Sequence, residues 1–211
     1  MNSKLCDEIL RGRTPLVIDL DEYQKIEQVI VDKDYLYFLR QTNGGYIFQS
    51  SLHFYGVLPN EIESNIFYNT FLFQKYYKDI LEINVVFGED IFGNQFAFLK
   101  NNQIVFINIE SAEVYETFDD FNSFSNSLFA DIDYYSGFSI AEEWESTKGK
   151  ISIGERLCPI KPIVIGGTFS LDNFFSLKKE KLLDYNSHIA KQIKDVPDGT
   201  FVELKNTPPN F

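Results

Sequence analysis

Cysteine and histidine are scarce in this 211-residue chain: Cys6, Cys158, His53 and His188 are the full set. Two cysteines so far apart exclude a disulfide framework. Sequence alone does not decide whether they form a single bridge, and a reducing, cytoplasmic setting is the simplest expectation. There is no HExxH, no CxxC and no metal-spaced Cys/His cluster, so no metal or cofactor is expected. A GxSxG elbow and a Walker loop are also missing. Gly166-Gly167 lacks the further glycine of a dinucleotide fingerprint and reads as a turn. His53 lies in an aromatic strand-like run and His188 beside the apolar face of a helix, places that suit structural or surface residues better than bases. No apolar run approaches the roughly 18 residues of a membrane span. The opening MNSKLCDEILRGRT is broken by Lys4, Asp7, Glu8 and Arg11 and does not read as a secretory signal.

Positive charge is the other shortage. Nineteen Lys and Arg face 31 Asp and Glu, a formal net charge of −12. Such a chain repels nucleic acid and anionic membranes and attracts basic partners. The imbalance is concentrated: residues 101–147 hold no Lys or Arg. They carry Glu110, Glu113, Glu116, Asp119, Asp120, Asp131, Asp133, Glu142, Glu143 and Glu145. One reading is a solvated face that keeps the protein soluble. The other is a surface for a basic protein partner, with Tyr115, Tyr134, Tyr135 and Trp144 as candidate anchors, unless those aromatics are core.

Aromatic residues are abundant instead, with 21 Phe and 12 Tyr in a chain that is 44% hydrophobic. That is enough for one sizeable core. Periodicity predicts a helix, or two, over 21–41, breaking near Asp32–Asp34 and stopped by Asn43-Gly44-Gly45. A hairpin around Ser50-Ser51 and a largely buried helix over 65–79 follow. EINVVF, QFAFLK and QIVFINIE read as strands, the last two joined at Asn101-Asn102, and QIVFINIE as a central strand covered on both faces. AEVYETF reads as a further strand. Thr117-x-x-Asp120 suggests a helix cap by Thr117 before Phe121, Phe124 and Leu128.

A short helix is expected over 138–147. A composition change at Thr147–Lys150 suggests a subdomain boundary. Beyond it PIKPIVIGGTF looks strand-like, 172–177 looks like a turn or short helix, and Leu182 to Val196 looks helical. Pro197-Asp198-Gly199 then reads as a turn and FVELK as a final strand. Hairpins beside blocks of helix imply an α+β fold with a mainly antiparallel sheet.

FGEDIFGNQFAF, residues 87–98, raises the question of chemistry. Glu89 and Asp90 are adjacent, so an extended backbone points them to opposite sides and spoils them as a carboxylate pair. Ile and Phe fill positions where an EF-hand needs oxygen ligands. A weak cation site on Asp90 and Asn94 remains as one reading. The other is a turn whose glycines bend the backbone and whose polar side chains satisfy or solvate it.

Tyr35-Leu36-Tyr37-Phe38-Leu39-Arg40-Gln41-Thr42-Asn43-Gly44-Gly45 resembles the Y-x-x-FL-x-x-NGG element of the SUKH superfamily, which contains fungal cell-wall synthesis regulators and many bacterial immunity proteins. FGEDIFGNQFAF is similar to its turn between core strands, and ETFDDFNSFSNSL to the helix that follows. The resemblance spans about 21–129. It departs where the family often has proline; Asp32-Lys33-Asp34 stands there. It implies one SUKH-like α+β domain over 1–211, with 130–211 an extension that completes the sheet or adds a lid or partner surface. It implies no catalytic residue and gives Asn43, Gly44, Gly45, Gly93 and Asn94 a structural role in turns. It further implies a cytoplasmic, non-catalytic immunity protein that binds a toxin domain, a nuclease for example. Its contact surface is then expected among Glu113, Glu116, Asp119, Asp120, Asp131, Asp133, Tyr134, Tyr135, Glu142, Glu143, Trp144 and Glu145. The alternative is a regulatory scaffold or small-ligand module like the fungal relatives.

Overall fold

Side-chain caps divide the first half of the chain. The computed structural model describes residues 3–11, 16–197 and 199–205. Helix α1 (Ser3–Leu10), which periodicity did not reveal, buries Leu5 and Ile9. The helix expected over 21–41 is two, α2 (Leu20–Glu27) and α3 (Lys33–Thr42). Asp32 separates them: its Oδ1 accepts from the amides of Asp34 and Tyr35, each at 2.9 Å, the arrangement that satisfies the free donors of a helix start. Its Oδ2 accepts from the amide of Phe121 at 2.7 Å, so one carboxylate begins two helices.

Asn43 closes α3 in the left-handed region at φ 48°. The hairpin β1 (Gly45–Ile47) and β2 (Leu52–Phe54) follows. After the capped helix α4 (Ile66–Tyr77) come β3 (Val85–Glu89), β4 (Gln95–Phe98), β5 (Ile104–Ile107) and β6 (Val114–Phe118). These six strands form one antiparallel sheet in chain order. Strands β3, β4 and β5 are buried at every position, while β6 exposes most of its length as an edge does. Continuous burial follows from helices on both faces. Phe87, Phe96 and Phe98 meet Tyr35 of α3 and Phe121 and Phe124 of the next helix, α5 (Phe121–Ala130), with ring centroids about 5–6 Å apart. On the other side the Thr70 hydroxyl of α4 accepts from the amide of Val86 at 3.0 Å. Each fully buried Phe stabilises the fold by roughly 1.5–3 kcal/mol.

The rest of the chain adds α6 (Ile132–Ser136), α7 (Phe138–Lys148), the two-stranded β7 (Glu155–Pro159) and β8 (Phe174–Lys178), and α8 (Lys179–Ile193). Leu182, Leu183 and Ile189 of α8 belong to the same buried cluster as the sheet phenylalanines. A smaller cluster joins Ile91, Ala141, Trp144, Leu157 and Phe174.

Several expectations are corrected here. Thr117 lies in β6, and the cap of α5 is Asp120, whose Oδ1 accepts from Ser123 N at 2.7 Å; the helix starts one residue past the acid, so the acid is the nearer acceptor. PIKPIVIGGTF is not a strand: Pro162 precedes a 3-10 turn at Ile163–Ile165, and the strand lies earlier, at β7. Residues 174–177 are strand rather than helix, because Phe174 to Lys178 pair with β7 in full register. FVELK has no regular structure. The Thr200 amide donates to the Pro197 carbonyl at 3.2 Å, while Asp198 of the expected turn lies outside the described residues. Among the described residues, no helix is long and apolar enough to cross a membrane.

Candidate functional site

Glu89 ends β3 and Asp90 follows it, so the extended backbone sends the two acids apart and each enters a different environment. Asp90 turns into the loop. Its Oδ1 accepts from Phe92 N at 2.9 Å and Asn94 N at 2.8 Å, and its Oδ2 from Asn94 Nδ2 at 2.7 Å. Asn94 Oδ1 accepts in turn from Ile109 N at 3.1 Å, which clamps the turn to the end of β5. Gly93 sits at φ +82°, and a Cβ there would come within 2.6 Å of Leu182.

Glu89 does not solvate the turn, contrary to expectation; it is sealed inside the protein. Arg156 Nη2 of β7 stands 2.8 Å away, Lys179 Nζ of α8 3.2 Å and His53 Nδ1 of β2 3.3 Å, and all four side chains are 1% exposed or less. The guanidinium meets Glu89 through charge, without an aligned hydrogen bond. Lys179 also donates to the Glu63 carbonyl at 2.9 Å and lies over the Tyr55 ring. Tyr46 stacks flat on His53 at 3.7 Å. Burial opposes the charge on Glu89, but Arg156 and Lys179 overcome it and hold the carboxyl well below its ordinary range. Burial presses His53 down to about 3, so the ring is neutral. Closed to solvent, this group clamps β2, β3, β7 and α8 together and cannot reach a substrate. Arg156 and Lys179 were not singled out from sequence; a cation inside the otherwise buried run ERLCP was the one available signal.

On the far side of the Asp90 turn a cavity of about 610 Å³ opens. Phe92 and Asn94 come to it from the turn, and Phe106 and Asn108 from β5 and its end. Tyr115, Asp133 and Tyr134 come from β6 and α6, and the buried Glu110 also lines it. Asn108 accepts from the amides of Glu110, at 2.7 Å, and Ser111, at 3.1 Å, and donates to the Tyr115 hydroxyl. Glu110 Oε2 accepts from Val164 N at 3.0 Å. Among the described residues, no lysine or arginine lines the cavity. Burial raises both Asp90 and Glu110 to about 7, against the lowering effect of the amides that donate to them.

A pH dependence follows from those two groups. Both are raised above their ordinary values, so the folded protein holds protons that the unfolded chain has released. Their contribution to stability is complete below about pH 4 and is lost as pH rises through about 7. Urea unfolding should show stability about 3–5 kcal/mol lower at pH 8 than at pH 5, at about 1.4 kcal/mol per tenfold change in proton affinity for each of the two groups. Glu110→Gln should remove part of that slope. A flat profile over this window would contradict the assignment. Glu89 has the opposite sign, and its contribution disappears only in stronger acid.

The family model of the SMI1 / KNR4 family (SUKH-1) matches residues 17–127. The chain belongs to this family. The crystal structure of Atu4351 from Agrobacterium tumefaciens is similar, with a TM-score of 0.56 and 16% identity over 82% of each chain. At that identity the likeness shows the fold alone. It covers more of the chain than residues 1–127 can supply, so it includes part of the C-terminal segment. No curated protein matches the chain.

In this SUKH-1 chain Asn43, Gly44, Gly93 and Asn94 sit in the bends between elements, whereas Gly45 is the first residue of β1 and pairs with Phe54. Asp32 stands where the superfamily often has proline, and starts the helix by capping it. The acidic set spreads over several elements. Asp133 and Tyr134 share the cavity with Tyr115, whereas Asp119 and Asp120 border a separate depression with Asp32 and Asp34. Glu142, Glu143 and Glu145 lie on α7. Glu113, Asp119, Asp120, Asp131, Asp133, Glu142 and Glu143 are exposed; Glu116 and Glu145 are half-buried. Tyr135 (5% exposed) and Trp144 (7%) are core, so they are removed as surface anchors. Tyr135 donates to Glu116, and Trp144 packs in the smaller cluster because α7 turns its apolar stripe inward. Tyr115 and Tyr134, about half exposed, remain. His188 is on the surface of α8, and Cys6 and Cys158 are buried free thiols. Among the described residues, no three His, Cys, Asp or Glu side chains are grouped to hold a metal ion.

Proposed function

We propose that this SUKH-1 protein is a non-catalytic immunity protein that binds and blocks a toxin domain with a basic surface. The observation that carries the reading is the stretch 101–147, which has no Lys or Arg and keeps seven of its acids in solvent on a fold of this family. Acids displayed in this way speed the encounter with a basic cleft and compete with its anionic substrate. The burial of His53 and Glu89 in a sealed ion cluster further supports a binding role over a catalytic one.

Co-expression tests it. A toxin encoded beside the gene should stop growth alone and permit growth when this protein is present. Continued growth arrest with both expressed would sink the reading. Reversing Glu142, Glu143 and Glu145 to Lys should weaken binding about tenfold or more at low salt. Unchanged affinity would remove α7 from the contact surface.

The second reading, a regulatory scaffold or small-ligand module, draws on the cavity beside Asp90, whose size suits a small molecule. A metabolite retained through purification would favour it.

A further inference from the structure

The cavity beside Asp90 has a chemical character that stability does not require. At Glu89 the chain supplies two cations to one buried carboxylate. At the cavity the described residues supply none. Among the described residues, Glu110, 7% exposed, is met by the backbone amides of Val164 and Ile163, and Asp133 accepts from the Ser139 amide at 2.7 Å. An ionised carboxylate has about four acceptor positions, so both retain capacity. Asp90 feels Arg156, but Glu89 already engages that guanidinium.

Aromatic faces stand beside these acids. Phe106 meets Tyr115 at 5.7 Å and Tyr134 at 6.0 Å, and Phe92 meets Phe174 at 5.2 Å. An apolar guest would cover the carboxylates without answering their charge, which is costly. A planar cation answers both features: it stacks on rings and donates to carboxylates in pairs. An ammonium ion does the second without the first.

We propose that the cavity receives an arginine side chain of the protein partner, its guanidinium lying against the exposed Tyr115 and Tyr134 rings and donating to Glu110 and Asp133. This rests on the partner-binding reading above and names the contact at its centre. The cavity exceeds one side chain, leaving room for flanking backbone. The arginine would enter past Tyr134, which is 51% exposed.

The test is an NMR titration of the full chain with three probes: Gly-Arg-Gly amide, the neutral isostere Gly-citrulline-Gly amide, and agmatine. The arginine peptide should shift the amides of Asn94, Glu110 and Tyr134 saturably, with the citrulline peptide at least about tenfold weaker. Agmatine should bind within about tenfold of the arginine peptide, because both carry the same head group. Glu110→Gln and Tyr134→Ala should each weaken the arginine peptide about tenfold. Tyr134→Ala alters a half-exposed ring, so it serves if Glu110→Gln unfolds. Equal binding of citrulline, shifts confined to α7, or no saturation by about 50 mM would overturn the proposal. Agmatine binding more than about a hundredfold tighter than the peptide would assign the cavity to a free small molecule and overturn the partner's role. The growth test separates the two readings. A protective protein whose cavity ignores arginine sinks this proposal alone, and a protein that fails to protect sinks the partner reading.

Discussion

Glu89→Gln should lower the unfolding free energy by about 3–5 kcal/mol, measured by urea denaturation near pH 7. The substitution keeps the shape of the side chain and removes one charge. Arg156 and Lys179 would then be two cations, each 1% exposed, with no anion between them. His53 cannot relieve them, since burial already holds it neutral. The loss is large because desolvation has been imposed on three groups and only the central one compensates it. Replacing Glu89, Arg156 and Lys179 together by Leu, Met and Met should recover most of it, because an apolar trio needs no compensation. A single-variant loss under about 1 kcal/mol would mean that water reaches the cluster.

Gly44→Ala should cost about 3 kcal/mol or more by the same measurement. Gly44 sits at φ +75°, and a Cβ there would lie 2.5 Å from the Phe54 carbonyl oxygen and 2.7 Å from the Tyr55 carbonyl carbon. Both are backbone atoms of β2 and its continuation, which have no room to retreat. The neighbouring Asn43 makes the position rigid. Its Oδ1 accepts from Val57 N at 2.7 Å, and its Nδ2 donates to the carbonyls of Val17 at 2.9 Å and Val57 at 3.3 Å. Gly166→Ala is the control: φ is again positive, at +91°, but the nearest atom is the flexible Lys161 Nζ at 3.4 Å. It should cost only the conformational strain, about 1–2 kcal/mol. Equal losses at the two glycines would show that backbone contact at Gly44 carries no special cost.

These two sites mark what the sequence could and could not reveal. The NGG turn was legible because its cause is local: Asn and Gly are the residues that tolerate a left-handed backbone. The individual strands and the antiparallel character of the sheet were legible for a related reason, since neighbours in the sheet are neighbours in sequence and short turns join most of them. The Asp90 turn was also readable, because Asn94 is only four residues away.

Glu89 was not readable, because its partners Arg156 and Lys179 come from elements 67 and 90 residues later and nothing near Glu89 marks them. The pairing of β7 with β8 was hidden by the prolines and glycines between them, which look like the end of structure. Exposure escaped as well. Tyr134 and Tyr135 are adjacent and chemically identical, yet the rotation of α6 leaves one in solvent and turns the other toward Glu116.

The most direct measurement is calorimetric binding to the basic domain of a toxin encoded beside the gene, at about 50 mM and about 500 mM salt. An acidic, non-catalytic antidote should bind with a Kd of about 1 µM or tighter at low salt, weaken at least about tenfold at high salt, and stop the toxin at one-to-one stoichiometry. Absence of heat at either salt, with toxin activity unchanged by excess protein, would contradict it.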